Sequence, residues 1–241
     1  MVLAGHNAVI KLSSQDEVLP KHIFSLLLKI NPDIQKQIKV VDRLSGLDGV
    51  IATGSDNTSR YFKKYFKDIP HIIRKNRVSI AVLNGAETSK DLALLGNDIF
   101  GYFGLGCRNV AKIYVPKEFN FISLLDSLES HKQVIDHNKY FNNYEYNKAI
   151  YLVNKTEHLD NGFALFTKTS DIISPLAVVY YEHYENEQQL LKIIQLNQAK
   201  IQCIVGNGAL SQANIPIGQA QFPKIDDYAD GVDTMAFLCN L

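Results

Sequence analysis

Short apolar runs and longer amphipathic stretches take turns along most of this 241-residue chain, and that alternation limits its fold more than any other feature. Ala8 to Leu12, Ile38 to Asp42, Gly49 to Thr53, His71 to Arg74 and Val78 to Leu83 read as strands. So do Ala111 to Val115, Phe163 to Phe166, Leu176 to Tyr181 and Ile201 to Val205. Each is too short for a stable helix and most are rich in β-branched or aromatic residues. The spacing between them predicts helices. Ser14-Gln15-Asp16-Glu17 fits a capping box, with Ser14 at the N-cap of a helix that carries Pro20 near its first turn and runs to Ile30. A second helix follows Ser55, with Tyr61, Phe62, Tyr65 and Phe66 on one side. Further helices are predicted over Thr88 to Phe103, twice within Asn120 to Leu152, and over Gln188 to Leu196. Strands alternating with helices predict an α/β fold with a largely parallel sheet. The tail after Gly206 reads as an irregular extension.

Charge and cysteine usage narrow the function. The chain has 25 basic and 25 acidic side chains, and no basic stripe of the kind a duplex nucleic acid demands. Its longest apolar runs, such as Ile23 to Ile30, fall well short of the roughly 20 residues of a membrane span. The N-terminus has no secretory pattern. Three cysteines, Cys107, Cys203 and Cys239, are too few and too scattered for a disulfide framework. They point to a reducing cytoplasm. No CxxC or HExxH spacing occurs, so no metal site is expected.

Three local patterns carry chemistry. Cys107 lies in Gly104-Leu105-Gly106-Cys107-Arg108-Asn109, directly after a predicted helix. Flanking glycines allow a sharp turn that exposes the thiol, and Arg108 offers a cation to favour the thiolate. The other reading is a buried structural cysteine. Thr53-Gly54-Ser55 closes a strand and opens a helix, where small residues let a phosphate reach backbone N–H groups and the positive helix end. A plain N-cap fits those residues equally well. Lys11 ends the first strand beside Ser13 and Ser14, either as a solvated strand end or as a holder of ribose or phosphate. The seven histidines are scattered and take no role.

In order, these blocks resemble the aldehyde dehydrogenase superfamily. Ala4 to Ser14 is similar to its "aGNavvlKpse" strand, and Ala52-Thr53-Gly54-Ser55 to its "fTGS" turn. Phe103 to Cys107 is similar to its nucleophile loop, and Ser170-Asp171-Ile172-Ile173-Ser174-Pro175 to its "EEiFGP" segment. Gly-Leu-Gly-Cys-Arg-Asn-Val, Lys-Leu-Ser-Ser and the tail from Gln221-Phe222-Pro223 to Asp233-Thr234-Met235 resemble most the acyl-CoA reductases related to the fatty-acid reductase of bacterial luminescence.

The resemblance implies a partial Rossmann-like cofactor domain over residues 1–83, a catalytic domain over 84–205 and an extension over 206–241. It implies an oxidoreductase in which Cys107 attacks an acyl-CoA or acyl-carrier thioester and a nicotinamide cofactor supplies hydride. Lys11, Ser13 and Ser14 would serve the adenosine side, Thr53, Gly54 and Ser55 the pyrophosphate, and Asp171 the nicotinamide ribose. A homo-oligomer is compatible with the family.

Three departures shape the expectation. The family's water-activating glutamate is missing, because the matching stretch is Ile72-Ile73-Arg74-Lys75-Asn76. That favours reduction of a thioester over oxidation of an aldehyde to an acid. The glutamate that normally grips the adenosine ribose is Ser14 here, which removes a charge that would repel a 2′-phosphate and leans toward NADPH over NADH. The chain also begins inside the family pattern, without the earlier strands and the asparagine of the oxyanion hole. Two alternatives therefore accompany the reductase: an aldehyde dehydrogenase-like oxidoreductase of another kind, or an inactive truncated remnant or partner-binding subunit.

Overall fold

The structure, a computed structural model, describes residues 1–14, 16–208 and 215–241. The chain divides into two units, Met1–Lys75 with Tyr228–Leu241, and Asn76–Asp227.

In the first unit β1 (Ala8–Ile10) leads through α1 (Val18–Ile30) to β2 (Ile38–Val40), which pairs with it in parallel. β3 (Val50–Thr53), α2 (Asp56–Tyr65) and β4 (His71–Arg74) repeat the pattern in a second parallel pair. Helix α1 starts later than the capping box predicted. Glu17, not Ser14, is its N-cap, and no side chain caps it. Pro20 explains the shift. It has no N–H to give, so it is tolerated only in the first turn. A helix capped by Ser14 would bury it one turn too deep. Glu17 instead pairs with Lys21 at 2.6 Å. Gln15, within the expected box, lies outside the described residues.

The second unit is built on a six-stranded sheet. Its elements are β5 (Val78–Val82), α3 (Ser89–Phe100), β6 (Val110–Pro116), α4 (Phe121–Leu128), α5 (Asn138–Val153), β7 (Leu159–Asp160), β8 (Leu165–Lys168), β9 (Val178–Tyr184), α6 (Glu187–Asn197) and β10 (Ile201–Val205). The strand order is β10-β5-β6-β9-β8-β7. Only β7 runs antiparallel to its neighbour. The period-2 alternation of β5 sorts its side chains onto two faces. Ala81 and Leu83 join Leu92, Leu95 and Ile99 of α3, Leu124 and Leu128 of α4 and Tyr140 and Tyr144 of α5. Ile80 and Val82 join Tyr114 of β6 and Leu190 and Ile194 of α6. Helices thus cover both faces, as a buried parallel sheet requires.

Local chemistry sets the boundaries. Thr88 and Asp91 form a reciprocal capping box at the start of α3, and Asn186 caps α6 by accepting from Gln189 N. β9 starts two residues later than its apolar run because Ala177 takes a left-handed φ of 64°. The tail is less irregular than expected: α7 (Thr234–Cys239) is helical, capped by Asp233, and belongs to the first unit. Among the described residues, no helix is long and apolar enough to cross a membrane.

Candidate active site

Helix α3 does not run on to Phe103. It stops at Phe100, and Tyr102, Phe103 and Gly104 follow with φ of 50°, 59° and 72°. Three successive left-handed residues cost about 1–2 kcal/mol for each that carries a Cβ, so something must hold them. Gly104 carries no such penalty, and a Cβ there would crowd Leu176 Cδ1 at 3.3 Å.

The holding group is Asn109, which is buried. Its amide nitrogen donates to the carbonyls of Asp98, Ile99 and Gly101 at 3.1, 3.2 and 2.8 Å, closing the open end of α3. Its Oδ1 accepts from Gly106 N at 2.7 Å. One side chain therefore ties both ends of the turn. The Phe103 ring stacks on His137, with centroids 3.9 Å apart.

Cys107 is exposed just past this turn. Buried Ser79 of β5 donates from Oγ to the Cys107 carbonyl at 3.1 Å. That leaves the Cys203 thiol, 3.0 Å from the same oxygen, to donate to it. Burial pushes the Cys203 thiol up, against the opposing effects of Ser79 and Arg108. Arg108 is not the free cation expected beside Cys107. Its Nε donates to Ala220 O, and its guanidinium pairs with Asp227 at 3.1 Å. Two acceptors from the tail occupy it, so its charge is largely met there.

The same tail is pinned to α3. Asp98, wholly buried, accepts from Gly218 N at 2.6 Å and from Ala220 N at 2.9 Å. Its desolvation pushes the carboxyl above the ordinary aspartate value, against those two N–H groups. Neither Asp98 nor Asn109 was marked as a site residue by the sequence. An aspartate on the apolar side of a predicted helix was the one available signal.

Asp171 is exposed on the loop between β8 and β9. That loop is anchored from below by Lys112 of β6, a lysine with no exposed side-chain surface. Lys112 donates to Thr169 O at 2.9 Å and to Glu182 Oε2 at 2.5 Å. Thr169 Oγ1 in turn accepts from Asp171 N at 3.2 Å. Burial lowers the Lys112 ammonium, while Glu182 and then Asp171 act to hold the proton on. The loop continues to Ser174 and Pro175, which share a 210 Å³ cavity with Gly104, Gly106 and Asn109. The Asp171 segment and the Cys107 loop are thus brought together.

The other sequence-marked residues lie in the first unit. Thr53 ends β3, and Ser55 caps α2 by accepting from Thr58 N at 3.3 Å, as its position predicted. A Cβ on Gly54 would fall 2.9 Å from Thr58 Cβ, so only glycine lets the chain pass this close to the helix. Such a bare turn at a ten-residue helix's positive end suits a pyrophosphate. Ser14 is exposed, and Ser13 bridges to Asp16. Lys11 lines a 650 Å³ pocket with Arg43, Leu44, Tyr61, Phe62, Lys64, Tyr65 and Phe66. Among the described residues, no group of three or more His, Cys, Asp or Glu side chains converges as metal ligands would.

No protein-family model matches the chain. No curated protein matches it in sequence either. Solved structures do match. An indole-3-acetaldehyde dehydrogenase of P. syringae, solved with NAD+, aligns at TM-score 0.64 and 11% identity over 85% of this chain and 51% of that one. A Sinorhizobium meliloti protein described as a methylmalonate-semialdehyde dehydrogenase, solved with NAD, aligns at 0.63 and 13%, over 87% of this chain and 55% of that one. A proline utilization A variant from Bradyrhizobium japonicum aligns at 0.63 and 11%, over 87% and 26%. The fold is therefore aldehyde dehydrogenase-like. The chain spans between about a quarter and just over half of the length of these neighbours.

Proposed function

We propose that this chain is a cysteine-dependent oxidoreductase that reduces an acyl thioester to an aldehyde. The observation that carries the reading is the exposed Cys107 just past a left-handed turn, with its carbonyl held by Ser79 and the preceding Gly106 N held by Asn109, in an aldehyde dehydrogenase-like fold. Strain of this kind persists only where the surroundings over-determine it, and it gathers at sites that must present one atom. Cys107 Sγ attacks the thioester carbonyl, an S–C bond forms, and the carrier thiol leaves. The Cys107 N–H helps hold the oxyanion. A bound nicotinamide cofactor supplies hydride. The resulting thiohemiacetal on Cys107 collapses to aldehyde and returns the thiolate.

In the same reading Gly54 and Ser55, with Thr53, receive the pyrophosphate. Lys11, Ser13 and Ser14 face the adenosine, Asp171 takes the nicotinamide ribose, and NADPH is preferred. Arg74, in the stretch that resembles the family's general-base segment, is tied to Thr234 at 2.8 Å and offers no carboxylate to activate water. An acyl group on Cys107 would therefore wait for hydride rather than be hydrolysed.

A second reading, oxidation of an aldehyde, is favoured by the neighbours themselves, two of which are described as aldehyde dehydrogenases. One experiment separates the two. The protein is incubated with acyl-CoA and then with NADPH, and both the mass of the Cys107 peptide and the aldehyde are followed. The reductase reading expects an acyl adduct on Cys107, its discharge to aldehyde by NADPH, and neither in Cys107→Ala. Aldehyde consumption with NAD+ and no acylation by thioester would establish the oxidation reading. Neither reaction would leave a partner-binding or inactive chain.

A further inference from the structure

Two histidines flank a short segment that braces the turn before Cys107. After α4 the chain forms a 3-10 helix over Glu129–Asp136. His131, near its start, sits in a notch of α3. Its Nε2 lies 2.9 Å from Ala93 O and hydrogen-bonds to it, and its ring centroid is 5.7 Å from that of Phe100. A Cβ on Gly96 would fall 2.2 Å from the His131 Cδ2, so only glycine admits the ring there. Val134, later in the same segment, is buried in the core. The segment is thus fixed at two points, and His137 follows it directly.

His137 has two tasks. As the N-cap of α5, its Nδ1 accepts from Tyr140 N at 3.3 Å, which leaves the proton of the neutral ring on Nε2. This bond helps to set the plane of the imidazole. The same ring lies flat against Phe103, with centroids 3.9 Å apart and 18° between the planes. Phe103 holds φ 59° and ψ 28°, a left-handed conformation that its Cβ opposes. Tyr102 before it is 72% exposed, so Phe103 is the side chain by which the turn is gripped. Asn109 ties the backbone at the two ends of the turn, and the stack on His137 holds its middle. Cys107 follows Phe103 by four positions.

We propose that His137 is a positioning residue for Cys107: its ring keeps Phe103 in the left-handed conformation that sets where the Cys107 thiol and N–H stand. It acts through Phe103, not on the substrate. This rests on the reading of Cys107 as the nucleophile and adds the group that holds it ready. Attack on a thioester needs the thiol and the oxyanion-holding N–H in one geometry, whereas alkylation needs only an accessible thiol.

Two substitutions separate the tasks of the ring. His137→Asn keeps a side-chain cap and loses the stack, whereas His137→Phe keeps a stack and loses the cap. Melting temperature, hydrogen exchange of the Gly106 N–H and single-turnover acylation of Cys107 by octanoyl-CoA are read in wild type and both variants. His137→Asn should melt close to wild type, yet exchange at Gly106 about three- to ten-fold faster, as loss of one aromatic contact allows. Its acylation should slow by a similar factor. His137→Phe should melt lower, yet keep exchange and acylation close to wild type. Iodoacetamide should alkylate Cys107 at nearly the same rate in all three proteins, with half-buried Cys203 as the gauge of any general loosening. Gly106 exchange as slow in His137→Asn as in wild type overturns the proposal, as does equal loss of protection in His137→Phe, which would assign the effect to the cap. Exchange is measured without substrate. A wild type that octanoyl-CoA does not acylate therefore counts against the thioester reading, while Gly106 still decides whether His137 holds the turn.

Discussion

The amide nitrogen of Asn109 lies 2.8 Å from the carbonyl oxygen of Gly101, across the left-handed turn that precedes Cys107. Asn109→Ala removes that bond, the two to Asp98 and Ile99, and the acceptor for Gly106 N. Buried carbonyls left unpaired cost about 1–3 kcal/mol. The expected fall in melting temperature is roughly 3–10 °C, read by thermal denaturation. Asn109→Asp keeps the acceptor but loses the donor, and should also destabilise. A variant as stable as wild type would mean that the turn is held by something else.

The three thiols should separate by accessibility. Cys107 and Cys239 are exposed, whereas Cys203 is half-buried and its thiol is pushed up by burial. In the folded protein, brief iodoacetamide treatment should mark the exposed Cys107 and Cys239 before Cys203, as peptide mass mapping reads. Acyl-CoA should mark Cys107 alone. Equal alkylation of all three would remove the case for a presented thiol.

Lys112 and Glu182 should behave as a coupled pair. Lys112→Met leaves Glu182 without its cation and Thr169 O without its donor, at a cost of about 2–3 kcal/mol. The double variant with Glu182→Leu should recover at least half of that loss, because no unpaired charge remains. Chemical denaturation of both singles and the double measures the coupling. Independent, additive effects would show that the pair does not anchor the Asp171 loop.

Asp98 gives a pH signature. Its folded value is raised above the unfolded one, so the native chain holds this proton more tightly than the unfolded chain does. The stability it contributes is full below about pH 3.9 and is lost as pH rises through the folded value. Asp98→Asn is neutral throughout. The stability of wild type relative to Asp98→Asn should therefore fall as pH is raised from about 3.9. Urea midpoints across that range test the sign, and a difference that grows with pH would contradict it.

Much of this architecture was legible because its causes are local. Thr88 followed by Asp91, Ser55 by Thr58, and the β-branched runs of β5 and β10 announce themselves within four or five residues. The α/β class and the turn before Cys107 followed from such signals. What was not legible depends on distant partners. Arg108 looked like a free cation because Ala220 and Asp227 stand 112 and 119 positions away. The burial of Asp98 depends on Gly218 and Ala220, 120 and 122 positions on. Ser14 lost its cap for a nearer reason, since Pro20 outranks a capping box when both cannot be satisfied.

The bonds that Arg108 and Asp98 make to the tail also set an order of assembly. The ribosome delivers Cys107 long before Gly218, Ala220 and Asp227, and before β10, which pairs with β5. A nascent chain that has reached α5 already carries the cysteine, yet lacks the groups that neutralise Arg108 and satisfy Asp98. The cysteine is thus made early, and the bonds that fix its surroundings come late. A chain cut short before Gly218 would leave the Arg108 guanidinium and the buried Asp98 carboxyl without those partners for good.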